Sequence, residues 1–81
     1  LGHLIHLRKE IARAVAMAVQ QGHIRADTDP DQIAFEVHGL VLAFQFEVKL
    51  FGIERAVPRV EAAVTRMLGA LALPVQDLPP G

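Results

Sequence analysis

The chain has 81 residues, 52% of them apolar, and sets eight Lys and Arg against nine Asp and Glu for a net charge of −1, with no cysteine. A single domain of this size buries only about 60% of the surface its unfolded form exposes, and without cysteine neither disulfides nor a thiolate metal site can supplement its core. Apart from the adjacent Arg8 and Lys9, the basic residues stand singly among the acids, so they form no stripe for a nucleic-acid backbone.

Leu4, Leu7, Ile11, Val15, Ala18 and Val19 recur at steps of three and four, the spacing that lines one face of a helix. They predict a first helix over about 3–21, with His6, Lys9, Arg13 and Gln20 on its polar side and Arg8 alone intruding towards the apolar one. Gly22 follows where a left-handed C-terminal cap is wanted. After the polar joint from His23 to Thr28, several start signals agree. Asp29 can cap the first turn, Pro30 stands where a missing N–H costs nothing, and Gln32 lies three residues beyond Asp29 as in a capping box.

The second helix is predicted over 30–51, stopped by Gly52. Turned at about 100° per residue, it carries two apolar stripes. Ile33, Val37, Leu40, Val41, Phe44, Val48 and Phe51 lie on one side; Phe35, Gly39, Leu42, Ala43, Phe46 and Leu50 lie on nearly the opposite one. Glu36 with Glu47, and His38 with Gln45 and Lys49, form thin polar seams between them.

The third helix is predicted over 54–72, with its regular part beginning near Val57 because Pro58 suits a first turn and breaks an interior. Val57, Val60, Val64, Met67, Leu68 and Leu71 form its apolar face. Residues 1–73 thus read as one helical domain, and 74–81, with Pro79-Pro80-Gly81, as a flexible tail.

Three helices can cover one stripe of the middle helix, and the Ile33 stripe is assigned to packing on its two neighbours. Leaving Phe35, Leu42, Phe46 and Leu50 in water would forgo about 1.5–3 kcal/mol each, together comparable with the stability of a whole domain. Either a second copy or helices preceding Leu1 must cover that stripe. Self-association is the simpler expectation, since Gly39 and Ala43 let two helix backbones approach across a two-fold axis, with the third helix completing a four-helix seam. The expected dimer interface is Phe35, Gly39, Leu42, Ala43, Phe46 and Leu50 with Val60, Val64, Met67 and Leu71.

The run from Gln21 to Leu40, with Asp27-Thr28-Asp29-Pro30 opening the long helix and Ala34, Gly39 and Leu40 following, resembles the C-terminal regulatory domain of the TetR/AcrR family of transcriptional regulators. The resemblance extends from the first helix to Met67-Leu68. It implies an all-α, three-helix part of a domain that forms a four-helix dimer bundle, binds a small effector, and follows an N-terminal helix-turn-helix that binds operator DNA. That helix-turn-helix is absent from these residues. With the chain opening on Leu1 in an already helical pattern, a preceding segment is expected, and these residues alone are not expected to bind DNA.

Arg8, Phe44 and His38 are the candidate effector contacts, in a site placed between the first and second helices. Two of them also have a plainer reading, His38 as an ordinary seam residue and Phe44 as core. His3 and His6 lack a matching third metal ligand, so no metal and no cofactor are expected. Glu36 and Glu47 lie about 16 Å apart along the helix, too far to act as a catalytic pair. With no serine and no Gly-rich phosphate loop, nucleophilic and phosphoryl chemistry lack their parts, so no enzyme is expected. The broken apolar runs predict no membrane span, and without a signal peptide a soluble cytoplasmic protein is expected. The alternative function is a free-standing helical module whose Phe35 stripe receives a helix of another protein.

Overall fold

The computed structural model describes residues 2–73, which form three helices, α1 (Gly2–Gln20), α2 (Pro30–Phe51) and α3 (Ile53–Leu71), and no strand among them. The expected tail over 74–81 lies outside the described residues. α1 ends as its glycine predicts. Gly22 has φ 76°, its amide donates to the Val19 carbonyl at 3.0 Å, and the His23 amide donates to Ala18 at 2.9 Å, which satisfies two carbonyls of the last turn.

The Asp29 carboxylate accepts from the amides of Asp31 at 3.0 Å and Gln32 at 3.4 Å, with Pro30 in the first helical position. The capping box is only half formed. Gln32 turns its amide forward to the Glu36 carboxylate at 3.0 Å instead of back to the Asp29 N–H, an exchange between side chains one turn apart that a helix surface favours.

A single residue joins α2 to α3. Gly52 has φ 89°, its amide donates to Val48, and its carbonyl accepts from Arg55 and Ala56. α3 therefore starts at Ile53, earlier than the sequence indicates, and contains Pro58. The proline is tolerated because it removes a bond only from the Glu54 carbonyl, on an exposed flank where water can replace it.

α2 is the central element. It packs against both neighbours, while α1 and α3 do not meet. α3 returns antiparallel along α2, placing Ala56 and Val60 by Phe44 and Met67 and Leu71 by Ile33. The N-terminal half of α1 meets the first turns of α2, so α1 is not the antiparallel neighbour of a simple up-down bundle. This corrects the expectation that the Ile33 stripe is fully packed. Val37, Val41, Phe44 and Val48 are only half-buried and Phe51 is exposed, because two neighbours on separate flanks cannot close over the side between them. Among the described residues the only buried hydrophobic side chains are Ala34 and Ala56, one facing each neighbour. A further tie holds the ends together: the Arg25 amide in the α1–α2 joint donates to the Leu71 carbonyl at 3.1 Å.

Candidate functional site

The open side of α2 carries Phe35, Gly39, Leu42, Ala43, Phe46 and Leu50, all six exposed. Phe35, Phe46 and Leu50 keep 57%, 66% and 69% of their surface accessible. Their 100° spacing draws them onto one side of the helix, so this part of the expected interface is contiguous. A Cβ added at Gly39 would meet nothing within 4 Å. Among the described residues, then, no neighbour requires a glycine in the interior of this helix, where it is about 1 kcal/mol less favourable than alanine.

The α3 members of the expected interface are placed differently. Val60, Met67 and Leu71 are half-buried and turn inward to α2, while Val64 lies near Leu68, itself 61% exposed. Beside Phe35 and Gly39, α3 instead presents Ala63, Arg66 and Ala70, together with the edge of Met67, across a shallow crevice. At about 100° per residue Leu68 and Arg66 fall on opposite flanks of α3, so the domain has apolar surface on two sides. The sequence missed Arg66 and the small residues beside it because an apolar-face argument selects large side chains.

On the α1 flank, Ile5, Arg8, Lys9 and Ala12 face Asp31 and Ala34 around a groove of about 420 Å³. The Arg8 guanidinium carbon lies 5.7 Å from the Phe35 ring centroid, within cation–π range. The intrusion of Arg8 on the apolar side of α1 was the one sequence signal for this groove; Ile5 and Lys9 gave none. His38 is half-buried, and its Nε2 is buried without a hydrogen-bond partner among the described residues. Phe44 is not in this groove but lies against α3 with Ala56 and Val60. The three candidate effector contacts thus do not share one cavity.

Two cations outside this groove are paired locally. Arg13 lies 3.4 Å from Glu10, and Arg25 donates to both oxygens of Asp27 at 3.1 and 3.2 Å. These bonds and the charge of Arg25 hold the Asp27 carboxyl below its usual range. No group of three or more His, Cys, Asp or Glu able to hold a metal occurs among the described residues, and no helix there is long and apolar enough to cross a membrane.

The fold and its surfaces define an all-helical domain whose middle helix keeps one apolar side uncovered. Residues 2–64 match the family described as the tetracyclin repressor-like C-terminal domain, and the chain belongs to that family. No curated protein and no solved structure matches it.

Proposed function

We propose that this chain is the regulatory part of a TetR-type transcriptional repressor, pairing with a second copy through the open side of α2 and holding a small effector beside that helix. The observation that carries the reading is the exposed run from Phe35 to Leu50 with Gly39 at its centre. A large apolar surface next to a glycine that no described neighbour requires is what a close helix-to-helix approach between copies would use. Family membership supports the same reading. Operator DNA would be contacted by a helix-turn-helix region N-terminal to these residues, and the regulator would work in the cytoplasm without a cofactor or a catalytic step.

Sedimentation equilibrium tests the pairing. A dimer is expected at micromolar concentration, and a folded chain that stays monomeric through hundreds of micromolar would overturn the proposal. The same chain is expected not to retard duplex DNA on its own, because apart from the adjacent Arg8 and Lys9 its cations are scattered singly.

A further inference from the structure

Two cations of α1, Arg8 and Lys9, lie together in the groove between α1 and α2. Arg13 and Arg25 each have a carboxylate partner, whereas Arg8 and Lys9 lie within ion-pair distance of none among the described residues. The walls of that groove are Ile5, Ala12 and Ala34, and its one acid is Asp31. Unpaired positive charge bordering an apolar trough suits a ligand with an anionic head and an apolar body.

Arg8 also belongs to a second surface. Its guanidinium lies over the ring of Phe35, and Phe35 is part of the open side of α2 and of the crevice shared with α3. A planar guanidinium can stack on an aromatic face or grip a carboxylate through its fork, and the two arrangements compete for its orientation.

Resting on the pairing proposed above, we infer that the α1–α2 groove binds an amphipathic monocarboxylate, with its head between Arg8 and Lys9 and its chain over Ile5, Ala12 and Ala34. Binding draws the Arg8 guanidinium off Phe35 and thereby loosens the association of the two copies. Phe35 is the residue through which the groove reaches the interface.

Sodium octanoate below its micelle concentration is the probe, with 1-octanol as its uncharged counterpart. Titration followed by amide NMR should shift Ile5, Ala12 and Ala34 saturably, with octanol binding at least about tenfold more weakly and Arg8→Ala losing about tenfold or more in octanoate affinity. Octanoate should raise the dimer dissociation constant about five- to thirtyfold, the factor two exposed cation–π contacts supply, one in each copy. Phe35→Leu, which keeps an apolar side chain but removes the ring that competes for Arg8, should bind octanoate about two- to fivefold more tightly than the parent and lose the effect on the dimer.

Equal binding of octanol and octanoate, or full octanoate affinity in a folded Arg8→Ala chain, would refute the groove assignment. An unchanged octanoate effect in Phe35→Leu would refute the coupling. Should Arg8→Ala lose its helicity, Lys9→Ala and the octanol comparison decide the same question. A chain that is monomeric throughout would overturn the pairing and the coupling with it, while the titration still decides the groove on its own.

Discussion

Phe46 sits in the C-terminal half of α2 with 66% of its surface exposed. Full burial of a phenylalanine side chain contributes about 1.5–3 kcal/mol, so the exposed two-thirds leaves about 1–2 kcal/mol for an interface to recover. A two-fold axis counts the residue twice, and Phe46→Ser should therefore weaken the dimer by about 2–4 kcal/mol, a rise in Kd of about thirty- to a thousandfold. The single chain should lose almost nothing, because Phe46 has so little packing within it. A dilution series on size exclusion gives the dimer constant, and far-UV circular dichroism at low concentration shows whether the helices persist. Leu68→Ser is the matched control: it removes a similarly exposed side chain, 61% accessible, on the flank of α3 turned away from Phe35. It should shift the dimer constant by less than about threefold. A large effect of Leu68→Ser with none from Phe46→Ser would place the contact between copies on the other side of the domain and refute the reasoning.

Gly39→Leu should separate helix stability from association: the variant gains about 0.8 kcal/mol of helix propensity, its Cβ meets no described atom within 4 Å, and it should nonetheless dissociate the dimer at micromolar concentration. An unchanged dimer by sedimentation would show that Gly39 is not a point of close approach. Asp29→Ala removes the acceptor for two first-turn amides and should cost about 1 kcal/mol, seen as a fall of about 4–8 °C in Tm. Asp27 sets a pH dependence. Its carboxyl titrates below its ordinary 3.8 in the folded chain because Arg25 bonds and attracts the charged form, so its contribution is present above that value and is lost as pH falls through the lower folded one. Unfolding curves of the parent and Asp27→Asn should accordingly differ at neutral pH and converge in strong acid; a gap that stays constant across the acid limb would contradict the assignment.

Helix boundaries set by local chemistry were legible in the sequence. Gly22, Asp29-Pro30 and Gly52 each carry a backbone requirement that does not depend on distant residues, and each acts where its type predicts. The two-sided character of α2 was equally legible, since a period of 3.6 places Phe35, Phe46 and Leu50 together whatever surrounds them. Periodicity says which side of a helix is apolar and nothing of the angle at which a neighbour arrives. For that reason the half-burial of Val37, Val41 and Val48 was not visible, nor were the placement of α1 against the start of α2 and the exposure of Leu68. The Arg8–Phe35 contact and the bond from Arg25 to Leu71 join residues distant in sequence, and no local signal marks either. The regular part of α3 was placed as late as Val57 because Pro58 was weighed as a helix breaker, whereas the fold sets that proline on an exposed flank.

The one-residue connection at Gly52 governs how this domain can be altered. A residue that closes one helix and opens the next, in a backbone conformation open to glycine alone, leaves no slack between α2 and α3, so a peptide inserted there would pull the pair apart. The joint at residues 21–29 is longer and mostly exposed, and an insertion kept ahead of Arg25, away from its bond to Leu71, should be accommodated. Reporter tags and circular permutation belong in that stretch, where α1 can be displaced or replaced while the α2–α3 unit persists as a single piece.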